Sequence, residues 1–240
     1  MRLNTTIMRI TMRSMLSRKR ALLLIPMPLL LIVLTVLCAN SSSIATAEWV
    51  EVLIGDLGVA VVLPLTALII GTSVLGSEIE DGTITHILAK PLPRSEIVLS
   101  KLVVAFVLTM VTAAVPLGIT GAIAGSNSFA VALLVGCTVA ALAYSAFFVA
   151  LSLLTRRPLL VGLIYVLLWE STLSALFKGI RNLSIQQYAI SITDRIDNSD
   201  LLISDLSVTV AVVMSVVFTV VGTLVASDRL RSFNLTGEAA

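Results

Sequence analysis

Charge is scarce in this sequence: 12% of its 240 residues are Asp, Glu, Lys or Arg, while 58% are hydrophobic. Soluble domains carry about a quarter charged residues, so this balance excludes an ordinary soluble chain and points to a membrane protein. Cysteine is nearly absent. Cys38 and Cys137 lie in or beside apolar runs with no second thiol or histidine at ligand spacing, which gives no support to a disulfide framework or a zinc site. Both are read as small packing residues, and no metal ligand is assigned. The one histidine, His86, has no carboxylate or serine arranged around it as a triad and reads as a solvated surface group. No Gly-x-x-x-x-Gly-Lys-Ser/Thr phosphate loop occurs, nor His-Glu-x-x-His, nor Gly-x-Ser-x-Gly. The chain therefore does not cradle ATP in the usual way, neither metalloprotease nor serine-hydrolase chemistry has a motif, and no catalytic residue is assigned. Aromatics make up 5%, too few to argue a cage for a cation. A net charge of +2 implies neither a nucleic acid nor an acidic ligand.

What is present is apolar length. With about 20 apolar residues needed per helical span, six candidates emerge: about 21–39, 53–76, 98–124, 129–154, 159–176 and 206–226. They fill the chain, so residues 1–240 are expected to form a single all-α transmembrane domain. Six basic residues precede the first span, three lie in 77–101, two at 156 and 157, and two follow the last span, so thirteen of sixteen share one side. The positive-inside rule makes that side cytoplasmic for both termini, and residues 40–52 and 177–205 external. A basic start, an apolar run and Ala45-Thr46-Ala47 imitate a cleavable secretory signal. The run is too long and too early interrupted by Pro26 and Pro28, so a permanent first span is expected.

Three polar stretches stand out. In residues 1–20, Arg2, Arg9, Arg13 and Arg20 fall within about 40° of one another at 100° per residue, with Leu3, Ile7, Met8, Ile10, Met12 and Met15 on the far side. That pattern predicts an interfacial helix whose arginines meet anionic headgroups. Residues 77–101 form the longest polar interruption in the first two thirds of the chain. Asp81 can cap a short helix there, Ile84, Ile87 and Leu88 share a face, and Pro91 and Pro93 end it. Residues 177–205 carry too many isoleucines for a plain external loop and are expected to dip back into the interface.

Glu80-Asp81-Gly82-Thr83, then Lys90-Pro91, Arg94, Glu96-Ile97 and Lys101, resemble the loop between spans two and three of ABC type 2 exporter permeases. Trp169-Glu170 near the end of span five resembles the same family. The resemblance implies that Glu78, Glu80, Asp81, Gly82 and Thr83, with Ile84, Ile87, Leu88, Pro91 and Arg94, form a cytoplasmic coupling helix that touches an ATPase subunit. It further implies an amphipathic helix before span one, a re-entrant helical pair between spans five and six, and two permease chains, identical or homologous, above two ATPase chains. ATP and magnesium would be held by the ATPases, with no cofactor in this chain. The implied location is the plasma (inner) membrane.

Two carboxylates fall inside apolar spans. Asp56 lies about 6 Å below the outer end of span two, within reach of interfacial water. It reads first as a cap or helix-contact residue, with the outer end of a transport path as the alternative. Glu170 falls near the middle of a hydrocarbon core about 30 Å thick, where a carboxylate is costly to keep. Either it serves the path or it holds the following external segment in place. With Tyr165 and Trp169 these residues are the path candidates. Beside the exporter permease stand an ion-coupled secondary transporter using Asp56 and Glu170, and an intramembrane enzyme using the same carboxylates. The substrate is not written in the sequence.

Overall fold

In hydrocarbon every backbone N–H and C=O must be satisfied within the chain, so long apolar stretches become helices. A computed structural model describes residues 5–17, 25–41, 45–80, 93–173, 180–197, 199 and 201–232, and every regular element among them is helical. Helix α1 is Thr5–Ser17, α2 Pro26–Ala39, α3 residues 46–80, α4 Arg94–Ala124, α5 Asn127–Leu154, α6 residues 158–173, α7 Ile185–Ile196 and α8 Val208–Ser232. Four of them, α3, α4, α5 and α8, are long and apolar enough to cross a membrane, and α2 and α6 are shorter apolar helices. The 14 residues of α2 rise about 21 Å at 1.5 Å each, short of a core about 30 Å thick. Residues 18–24, which the sequence places partly in that span, lie outside the described residues.

The helix ends follow local chemistry. Pro26 and Pro158 sit in the first turns of their helices, where a missing N–H costs nothing. Ser126 caps α5 by accepting from the Phe129 N–H at 3.1 Å. The turn at 125–126 leaves α4 and α5 packed side by side. Helix α3 starts at Thr46 rather than at 53. Glu48 and Glu51 form the exposed face of its first turns while Trp49 and Val50 are buried, so what reads as a polar loop is one side of a helix. Helix α4 starts at Arg94, with Glu96 in its first turn.

Helix α5 is the hub, packed against α3, α4, α7 and α8. Phe129, Leu133, Cys137, Ala140, Tyr144 and Phe148 are buried along it at intervals of three or four residues. Without a hydrophobic drive between helices in lipid, close backbone approach supplies the packing energy. Gly222 of α8 makes such an approach: a Cβ there would lie 2.9 Å from both C and O of Ala146. Gly222→Ala is expected to cost about 1–3 kcal/mol, whereas Val220→Ala on the exposed face of the same helix should shift stability little. Thermal unfolding in detergent checks the pair, and equal melting would refute the close contact.

A second cluster, including Ile70, Val74, Ile97, Val98, Ala226 and Leu230, closes the other end of the bundle, with Ile7 and Met15 of α1 packed against it. Ile7, Thr11 and Met15, four residues apart, make the inner seam of α1, while Arg9 and Arg13 are exposed. Ile10, expected on the lipid face, is 59% exposed. Arg2 and Arg20 lie outside the described residues. Two basic residues read as part of the 77–101 loop belong to helix packing instead. Lys101 is fully buried and its Nζ donates to the Val74 carbonyl at 2.9 Å. Arg94 donates through Nη1 to the Leu230 carbonyl at 2.6 Å, near the C-terminus of α8, where a cation is favoured.

Candidate functional site

Residues Glu51–Val62 of α3 adopt the wider π-type turn, and the Leu63 N–H donates to the carbonyl of Gly58, five residues back. In such a ladder residues five apart fall on one face. Glu51, Asp56 and Val61 line up in this way, with Gly55 and Ala60 beside them, and together they form one wall of a cavity of about 800 Å³. At the ordinary helical 100° per residue the same five positions would scatter around the axis. The facing wall is Gln186, Gln187 and Ile190 of α7. Ala47, Glu170, Arg181, Leu201, Leu202, Ile203 and Asp205 complete the lining.

Glu170 is 1% exposed and sits in a second π-type stretch, Tyr165–Leu173. Its Oε2 accepts from the Ser184 hydroxyl at 2.5 Å and from the Gln186 N–H at 3.4 Å. Its Oε1 accepts from the Ile185 N–H at 3.1 Å and from the Tyr165 hydroxyl at 3.1 Å. The first N–H groups of a helix have no partner within it, and an anion at that end is favoured by the helix dipole. A carboxylate from α6 thus caps α7. Ser184 completes the cap by accepting from the Gln187 N–H at 3.4 Å. The Tyr165 ring is in turn held between Phe147 and Phe148, with centroids 4.5 and 6.5 Å away.

Helix α7 lies along α5 through Ile185, Tyr188, Ala189 and Ile192, a buried stripe at helical spacing. Burial and the nearby Glu170 push the Tyr188 phenol above its ordinary range, so it stays a neutral donor, bonded to the Asn182 carbonyl at 2.7 Å. The chain after α7 is strapped back to it: the Ser204 N–H donates to Asp194 Oδ2 at 3.1 Å and the Ser191 hydroxyl to the Leu206 carbonyl at 2.7 Å. That strap brings Asp205 to the cavity, where it pairs with Arg181 at 3.2 Å.

The path candidates therefore divide. Asp56 and Glu170 line the same cavity, Tyr165 supports Glu170 from behind, and the Trp169 Nε1–H reaches the Leu183 carbonyl at 3.5 Å, tying α6 to the turn Ile180–Leu183. Of the coupling residues, Asp81, Gly82, Thr83, Ile84, Ile87, Leu88 and Pro91 lie outside the described residues. Glu78 and Glu80 fall in the last turn of α3, and Arg94 binds the end of α8. Ser184, Gln186, Arg181, Asp205 and Glu51 were not singled out from the sequence. Ser184 carried a signal: Ser184-Ile185-Gln186-Gln187 has the Ser-x-x-Gln form of a helix-capping box.

The family model described as "ABC-2 family transporter protein" matches residues 8–189. No curated protein matches the chain.

Proposed function

Because the chain belongs to the ABC-2 family of transporter proteins, whose members are membrane components of ABC transporters, we propose that it is the permease of an ATP-driven exporter. The observation that carries this reading is a cavity of about 800 Å³ between α3, α6 and α7, lined by four carboxyl groups as well as apolar side chains, in an otherwise apolar bundle. A lipid-anchored scaffold has no use for such a space. In this reading a second permease chain, identical or homologous, completes the translocation path, and two ATPase subunits dock on the cytoplasmic side. The path runs past Asp56 and Glu170. Both termini and the 77–101 loop face the cytoplasm, residues 40–52 and 177–205 face outward, and six segments span the plasma membrane, with α2 and α6 among them. ATPase closure moves the permeases as rigid bodies in alternating access. No phosphate-loop motif occurs in the chain, so ATP and magnesium would be bound by the partner.

Coupling through the 77–101 loop supplies the test. Ile84→Asp combined with Ile87→Asp removes an apolar face worth roughly 1.5–3 kcal/mol per side chain to a partner groove. Neither residue lies in a span, so membrane insertion should be unchanged. The wild-type chain is expected to copurify with a phosphate-loop ATPase, and the double variant to lose it along with ATP-driven export. Retention of the ATPase and of the original export rate in the double variant would show the loop to be a connector. The meeting of Asp56 and Glu170 in one cavity also suits an ion-coupled secondary transporter. Transport driven by an ion gradient in the absence of any ATPase would favour that reading instead.

A further inference from the structure

The geometry points to the cavity between α3 and α7 as a binding site for an organic cation with an apolar body, the chemical class this permease would move. The inference rests on the permease reading for its transport meaning, but binding itself needs neither ATP nor an ATPase.

The charge inventory comes first. The cavity lining carries four carboxyl groups, Glu51, Asp56, Glu170 and Asp205, against one cation, Arg181. Arg181 is engaged with Asp205 at 3.2 Å. Glu170 has its two oxygens occupied by the first N–H groups of α7 and by two hydroxyls. Glu51 and Asp56 remain, both exposed to the cavity side of α3, and neither has a basic partner among the described residues. The π-type ladder sets them five residues apart on the same face, so their fields add at one place. In a cleft with low-dielectric walls such a field attracts cations more strongly than the same charges would in open water.

Gln186 gives an independent indication. It lines the cavity and is only 8% exposed as a residue, and its side-chain amide opens onto the cavity rather than into a hydrogen bond with the described residues. Its backbone N–H is the part that serves Glu170. An amide facing the cavity is available to whatever occupies that space, and its carbonyl oxygen can turn toward a cation.

Size and apolar lining fix the rest of the class. A space of about 800 Å³ is far larger than a bare metal ion needs and falls within the range of about 300–1,000 Å³ typical of small-molecule sites. Ala60, Val61, Ile190, Leu201, Leu202 and Ile203 supply apolar walls beside the carboxylates. Among the described residues no group of histidine, cysteine and carboxylate side chains could hold a metal ion. A hydrophobic cation satisfies both halves of the lining, whereas an inorganic cation leaves the apolar half bare and an anion meets the carboxylates.

Tetraphenylphosphonium and tetraphenylborate test this directly, because they share shape and differ in the sign of charge. Binding of each to the full chain in lipid nanodiscs is measured without nucleotide, with empty nanodiscs subtracted. Saturable binding of the phosphonium and none of the borate is expected. Asp56→Asn with Glu51→Gln should weaken phosphonium binding about tenfold or more, and Gln186→Leu should weaken it less. Glu48→Gln, outside the cavity lining, should leave it unchanged. Because Glu51 and Asp56 are exposed, the double variant is expected to melt with the wild type, which separates lost binding from lost fold. Equal binding of both ions, no saturable binding, or an unchanged phosphonium affinity in the double variant would overturn the assignment. Failure to copurify an ATPase would instead strike the permease reading and leave the binding result standing.

Discussion

Glu170→Leu is expected to destabilise the folded chain by roughly 3–9 kcal/mol, since the Ser184 hydroxyl and the Ile185 and Gln186 N–H groups each lose their acceptor at a cost of about 1–3 kcal/mol. Glu170→Gln keeps one carbonyl oxygen at the cap and should cost less, roughly 1–3 kcal/mol. The loss should be local before it is global. Protease cleavage within residues 184–206 should appear in the leucine variant under conditions where the wild type is resistant, together with a lower melting temperature. A leucine variant with wild-type melting and wild-type protection would mean that the carboxylate does not hold α7. Should the glutamine variant fold normally and lose export, Glu170 serves the path as well as the cap.

A comparably large effect is expected at Gly136, on the opposite side of α7. A Cβ there would lie 2.5 Å from the Ala189 carbonyl oxygen and 2.6 Å from Thr193 Oγ1. The first of these is backbone and has nowhere to turn. Gly136→Val must push α7 off α5 and break the 3.4 Å bond from the Thr193 hydroxyl to the Ala132 carbonyl. Overpacking of a tight contact costs about 1–3 kcal/mol, and a branched side chain against fixed backbone should exceed that range. Amide exchange of α7 is the suitable readout, expected to quicken in Gly136→Val and, to a smaller degree, in Gly136→Ala. Unchanged exchange in both variants would refute the close approach. Effects at Glu170 and Gly136 together would show α7 held at its end and along its side, which is what fixes the wall of the cavity.

The all-helical membrane architecture was legible because it depends on composition and apolar length, which sequence carries directly. That the segment after α6 is more than a plain loop was legible too, since Ile185, Tyr188 and Ile192 are too apolar for open solvent, and the structure buries them on α5. The cavity was not. Glu51, Asp56 and Val61 join one face only because the backbone there runs in π-type turns, and an ordinary helical projection separates them. Glu170 was visible as a costly carboxylate, but its partners Ser184, Ile185 and Gln186 lie 14 to 16 residues away, a juxtaposition that only the tertiary fold creates. Lys101 and Arg94 read as loop charges because charge suggests solvent. Each instead reaches a backbone carbonyl of a neighbouring helix, at Val74 and Leu230.

One cysteine tests the central claim, that this chain is a permease driven from the cytoplasmic side through its 77–101 loop. Thr85→Cys is introduced into a chain whose Cys38 and Cys137 have been replaced by alanine, and two reagents are applied to intact cells expressing it with its ATPase partner. An impermeant maleimide should leave the new cysteine unmodified, and a membrane-permeant bifunctional maleimide should join it to the ATPase. Modification by the impermeant reagent from outside, with no adduct to the ATPase, would contradict both the topology and the coupling.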